Sequence, residues 1–213
     1  MYADTMMYVC RMVVRETRAE RRRRTREELV ASAIRLFAES GVAATSVEAI
    51  AETAGYSRGA YHSNFDTRDE ILDAVVSHVV GSLEPDLVAA LHAPGGALER
   101  LAAYIRTFLQ YCAQRQVETR ALIAVIAHRT AAAADVYDEL VAASLADIVA
   151  LFEEGQRSGE MREFDPVMMA SLLRRALDAE GLRVAGGAPV HAVTNELIAT
   201  FGQATRSVPE RTT

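Results

Sequence analysis

Apolar residues recur along most of the chain at three- and four-residue intervals with polar residues between them. That is the period of α-helices that turn one face inward. From Arg24 to Ser40 the inward positions are Leu29, Ala33, Leu36 and Phe37, and Gly41 stops the pattern. Val47, Ile50, Ala51 and Ala54 make a second, shorter stripe, opened by Thr45 and Glu48 in capping-box spacing. Ser57 is placed to cap a third helix running to about Asn64. Thr67 and Glu70 form another capping box, opening a long helix through Ile71, Leu72, Val75, Val76, Val79 and Val80 to about Leu91. Further helices are predicted from Ala97 to about Gln114, Glu118 to about Ala131, and Asp135 to about Gln156. Two more run from Asp165-Pro166 to about Val184 and from Val190 to about Ala204. No two-residue alternation marks a strand. The pattern predicts an all-α protein of about nine helices.

Composition agrees with helices: half of the 213 residues are hydrophobic, with 5 Pro and 12 Gly. The formal charge of −6 hides an asymmetry. Residues 11–26 hold eight Arg against Glu16 and Glu20, whereas residues 71–213 hold 12 Arg against 18 acids. A basic end on an acidic body suits a protein that meets a polyanion at one end only. Cys10 and Cys112 stand in no metal or redox spacing, so a reducing cytoplasm is expected. No run reaches 18 apolar residues, and the start MYADTMMYVCRMVV reads poorly as a signal peptide.

The chemistry concentrates between Thr45 and Arg68. Two short helical stripes flank Ala54-Gly55-Tyr56, and Gly55 falls where the first must end in a sharp, left-handed turn. Helices joined so tightly cross steeply, as in a helix-turn-helix, whose second helix enters the DNA major groove by its N-terminal part. The run Gly41-Val42, Thr45-Ser46-Val47, Ile50-Ala51, Ala54-Gly55, Ser57-Arg58-Gly59-Ala60, Asn64-Phe65 and Arg68 resembles the DNA-binding domain of TetR-family transcriptional regulators. The likeness covers about residues 24–72.

Arg58, one residue into the second helix, has the donors to take both O6 and N7 of a guanine. Gly59 and Ala60 leave room for close approach to DNA. The resemblance implies DNA contacts at Ser46, Ser57, Arg58, Gly59, Ala60, His62, Ser63, Asn64 and Arg68, with Ser46, Ser57 and Arg68 on phosphates. Two positions depart from the family pattern. His62 stands where Tyr is usual, so either His62 makes that contact or the helix rotates and Tyr61 serves. Glu48 stands where some members carry a basic residue; its expected role is as a helix cap. The run Arg21–Arg24 leads into the first helix and is either a solvated charge block or an arm reaching phosphates or the minor groove.

The expected organisation is a mobile arm over 1–16, a helix-turn-helix domain over 17–70, a helical ligand-binding and dimerisation domain over 71–206, and a tail over 207–213. Phe37, Val47, Ile50, Tyr61 and Phe65 are the expected core of the small domain. The last two helices, about 165–204, each carry an apolar stripe, and the resemblance implies a four-helix bundle with the same pair of a second copy. Tyr104, Phe108, Tyr111, His128, Tyr137, Ser144 and Met168 are candidate lining of a cavity for a small-molecule effector of unknown identity. The five His form no Glu-x-x-His pair, and no nucleophile elbow or phosphate-cradling Gly loop appears. Neither a catalytic site, a metal, a cofactor nor a membrane partner is expected. The expected partners are double-stranded operator DNA, the effector and a second copy of the chain. The alternative is a dimeric, small-molecule-binding helical protein without specific operator recognition.

Overall fold

The structure, a computed structural model, describes residues 17–131 and 136–207, with residues 136–144 as backbone only. The expected arm over 1–16, Cys10, the side chains of Tyr137 and Ser144, and the tail beyond Ser207 lie outside the described residues. Nine helices form among the described residues, with no strand beyond an isolated bridge between Met161 and Arg206. They are α1 (Arg18–Ser40), α2 (Val47–Thr53), α3 (Arg58–His62), α4 (Arg68–Leu91), α5 (Ala97–Gln114), α6 (Gln116–Thr130), α7 (Val136–Arg157), α8 (Pro166–Ala185) and α9 (Val190–Thr205).

The expected boundaries hold closely except at the start. Helix α1 begins six residues before Arg24, because Thr17 and Glu20 make a reciprocal capping box. The Thr17 hydroxyl accepts from the Glu20 amide at 3.2 Å, and the Glu20 carboxylate accepts from the Thr17 amide at 2.7 Å. The backbone bond from Thr17 holds the Glu20 carboxyl below its ordinary value. Arg21–Arg24 therefore ride on a helix and are not a leading arm.

Two apolar cores form among the described residues. The first gathers Leu29, Phe37, Ile50, Tyr61, Phe65, Ile71, Leu72, Val75 and Val79, with Val47 partly buried against it. Ala121 and Val125 of α6 complete this core, so the small domain does not close its own interior. The second joins α5, α7, α8 and α9 around Leu101, Tyr104, Ile105, Phe108, Leu109, Ile148, Phe152, Leu173, Leu177 and Phe201. Helix α4 belongs to both: Ile71 to Val79 face the first core, and Leu83, Leu87 and Leu91 face the second. An apolar core therefore spans the expected boundary at residue 70. By length and a mean hydropathy of 1.3 over 18 residues, α4 would suffice to cross a membrane, although no 18-residue run is wholly apolar. A third of that window is buried within the fold.

Long-range polar contacts set the helix ends. Helix α5 follows Gly96, which supplies no side-chain cap. Glu160 takes that role from 63 residues away, accepting from the Ala97 amide at 2.6 Å and the Leu98 amide at 3.2 Å. A side chain at 96 would collide with it, since a Cβ there would lie 2.6 Å from the Glu160 carboxylate. Ser207, the first residue of the expected tail, donates its amide to the Glu160 carbonyl at 3.0 Å.

Candidate nucleic-acid interface

Helix α2 is capped by Ser46, whose hydroxyl accepts from the Ala49 amide at 3.0 Å. The cap is not Thr45, which is buried and donates its hydroxyl to the Gly41 carbonyl at 2.8 Å. Glu48 consequently makes no capping box, and its carboxylate stays available. At the other end of α2 the Tyr56 amide returns to the Ala51 carbonyl at 2.8 Å and the Gly55 amide to Glu52 at 2.9 Å, with Gly55 at φ 77°. This is a Schellman termination, and its left-handed residue is the predicted glycine. Ser57 then caps α3, accepting from the Ala60 amide at 3.2 Å. Using Ser46 and Ser57 as caps occupies an acceptor lone pair on each, leaving their hydroxyl protons free for a phosphate.

Five residues make α3, and its faces are distinct. Arg58, Gly59, His62 and Ser63 are exposed, together with Ser46, Glu48, Ser57 and Arg68 around them. Arg58 lies over α2: its Nη1 is 3.0 Å from the Glu48 carboxylate, and its Nε donates to His62 Nε2 at 3.4 Å. Gly59 adopts ordinary helical φ, and a Cβ there would meet only Ser57 Oγ at 3.7 Å. The fold leaves space at Gly59 without needing it.

Other expected contacts point elsewhere. Tyr61 is 1% exposed, packed against Phe65 with ring centroids 5.4 Å apart, and burial pushes its phenol up. It is a core residue, so His62 holds the outward position at this turn. Asn64 is half-buried; its Nδ2 donates to the Ala60 carbonyl at 2.8 Å, while its own carbonyl accepts from Arg26 at 2.7 Å. It lies just beyond Ser63, the C-cap of α3, and Ala60 is half-buried as well. Ser63 spends its proton on the Gly59 carbonyl at 2.9 Å. Arg68 donates through Nη2 to the carbonyls of Val42 and Thr45, tying the start of α4 to the α1–α2 turn. Sequence spacing misses Arg26 and Arg68 as braces because their partners lie 38, 26 and 23 residues away.

Among the described residues, the expected effector residues stand at several places: in the larger core, at a helix seam and on the surface. Tyr104 and Phe108 are buried in the larger core, where burial pushes the Tyr104 phenol up while Arg174 pulls it the other way. The Arg174 guanidinium lies 5.2 Å from the Phe108 ring centroid and 2.8 Å from the Asp178 carboxylate. Tyr111 stands at the α4–α5 seam, its hydroxyl 2.6 Å from that of Ser82. It helps line an open cleft of about 490 Å³ with Asp86, Arg106, Thr107, Gln110 and Gln114, polar residues that an apolar-stripe reading passes over. His128 is exposed near the end of α6, and Met168 is 62% exposed on α8.

Residues 29–75 match the family model described as bacterial regulatory proteins, tetR family. The chain is 32% identical over 120 residues to the HTH-type transcriptional regulator BetI of Rhizobium meliloti (strain 1021), covering 49% of this chain and 59% of that protein. A BetI of Brucella suis biovar 1 (strain 1330) is 35% identical over 80 residues, covering 38% of this chain and 40% of that one. The matched stretches thus span less than two thirds of these relatives. The fatty acid degradation regulator FadR of Bacillus halodurans superposes with a TM-score of 0.74 at 15% identity, covering 84% of this chain and 94% of that structure. At that identity the likeness establishes the fold.

Proposed function

The chain belongs to the tetR family of bacterial regulatory proteins, and on that premise we propose that it is a DNA-binding transcriptional regulator acting as a ligand-released, dimeric repressor on a pseudo-palindromic operator. The observation that supports this reading best is the exposed Arg58 at the start of α3, behind a glycine turn and flanked by hydroxyls free to donate. Residues 17–70 carry the reading head and 71–206 the sensing and dimerisation body. Acting on the chromosome, the protein works in the cytoplasm.

One short helix buries too little surface for tight, specific binding, and two copies place two heads about one helical turn apart. Helix α8 offers a surface for pairing. Ala170, Leu173, Leu177 and Val184 form its buried stripe, while Met168, Leu172 and Leu182, at 62%, 54% and 42% exposure, lie on the opposite side at helical spacing. A second copy covers this stripe and the half-buried Leu197 and Ile198 of α9. Helix α6 is the natural conduit from effector to DNA: Ala121 and Val125 seat it in the reading head's core, Arg129 reaches Asp73 of α4 at 2.5 Å, and it also packs on α8. An effector that favours a mis-spaced dimer weakens operator binding; couplings of this kind are typically about 1–3 kcal/mol, roughly 5–150-fold. The test is a footprint on DNA selected by the full-length protein. Two protected half-sites about one turn apart are expected, and Leu172→Glu should make the protein monomeric in sedimentation and erase both. A monomer that gives the same footprint would contradict the reading.

A further inference from the structure

We infer that Glu48 is a specificity-determining residue of the reading head, acting as a positioning group for Arg58; the inference rests on the DNA-binding role proposed above. Glu48 sits in the first turn of α2, where a carboxylate has two ordinary uses, completing a capping box or sitting against the helix N-terminus. The first is absent, because Ser46 and not Thr45 is the cap. The Glu48 carboxylate is instead 3.0 Å from Arg58 Nη1, reaching from one helix of the motif to the other.

A carboxylate on a face that meets phosphates is repelled by them and weakens binding to any sequence. Its presence beside the reading arginine therefore costs general affinity, and specificity is what it supplies in exchange. An arginine has five N–H donors. Glu48 holds the guanidinium from one side through the ion pair at Nη1, and His62 accepts from Nε on the other. The N–H groups on Nη1 and Nη2 exceed the two that guanine O6 and N7 require. So held, Arg58 presents a fixed edge to one base pair. An untethered arginine would swing to the nearest phosphate and bind every sequence alike. At a base pair that does not offer two acceptors, the tethered guanidinium leaves donors unsatisfied.

Removing the carboxylate should therefore have two effects of opposite sign. Glu48→Gln keeps the side-chain shape and removes the charge. Binding to non-specific DNA should rise by roughly two- to tenfold at about 0.1 M salt, as one fewer negative charge faces the phosphates. Preference for guanine at one position of each half-site should fall by about 5- to 100-fold, the range set by a lost bidentate base contact. The experiment selects full-length wild type, Glu48→Gln, Arg58→Ala and the double variant against a random duplex library at fixed salt, with a thermal melt of each. A wild-type motif whose guanine is relaxed or redirected by Glu48→Gln, with no further change when Glu48→Gln is added to Arg58→Ala, supports the inference. An unchanged motif in Glu48→Gln overturns it alone and leaves the DNA-binding reading standing. So does an equal loss on specific and non-specific DNA tracking a lower melting temperature, which marks a purely structural role. If the wild type enriches no sequence, the DNA-binding reading falls and the inference with it.

Discussion

Gly59 separates what the fold needs from what a partner needs. The fold tolerates a methyl group there, since the nearest atom to a Cβ at this position would be Ser57 Oγ at 3.7 Å and the backbone is ordinary helix. Gly59→Ala should stabilise α3 by about 0.5–1 kcal/mol, the usual gain for alanine within a helix. If DNA approaches this backbone closely, the same change weakens operator binding by roughly tenfold, about 1.4 kcal/mol. A thermal melt and a binding titration on one sample check both signs. Cys112 makes a different forecast. Burial pushes its thiol up to about 11 from 9.0, so the native protein keeps it protonated and inert near neutrality. Alkylation should spare Cys112 until unfolding. Because the folded value is the higher one, its stabilising contribution is intact below about pH 9 and is lost as pH rises through about 11; Cys112→Ala should flatten stability across that window. Much of the site at this scale is legible in the sequence. Gly55 and Ser57 act through neighbours within a few residues, and local spacing shows such roles. The partners that Arg26, Arg68 and Glu48 find lie elsewhere in the fold, where spacing does not reach. Tyr61 is a subtler case: the sequence offers it both as core and as an alternative DNA contact, and its packing with Phe65 places it in the core.

Helix existence and most boundaries can be read from the chain because each helix carries its own apolar stripe and stop signal. Thr67 caps α4 and Asp165 with Pro166 opens α8, as their sequence patterns predict. The helical start of α1 escapes that reading because charge density in Arg21–Arg24 masks a capping box at Thr17 and Glu20. The packing of α6 on α1 cannot be read at all, since nothing local ties Val125 to Leu29 and Phe37. That contact has a consequence for the reading head. Val125 is fully buried in its core, and Val125→Ala should cost about 1–3 kcal/mol through lost burial and a residual cavity. It should also loosen the seat of α1 and so weaken DNA binding beyond the loss of folded protein. Denaturant unfolding and a DNA titration corrected for the folded fraction would reveal this; an effect on stability alone would deny α6 its coupling role.

For the whole molecule, the −6 net charge and the basic first helix act together. The acidic body discourages general adhesion to DNA, while the Arg-bearing start of α1 and the face of α3 concentrate positive charge at one end. The protein's job then depends on whether that end reads sequence or merely attracts phosphates. The most direct measurement compares wild type and Arg58→Ala on the selected operator and on scrambled DNA across a salt series. Wild type should prefer the operator by at least about 10³-fold, and Arg58→Ala should lose about 5- to 100-fold of that preference while its affinity for scrambled DNA falls far less. Equal preference in both proteins, or no operator preference in the wild type, would contradict the account.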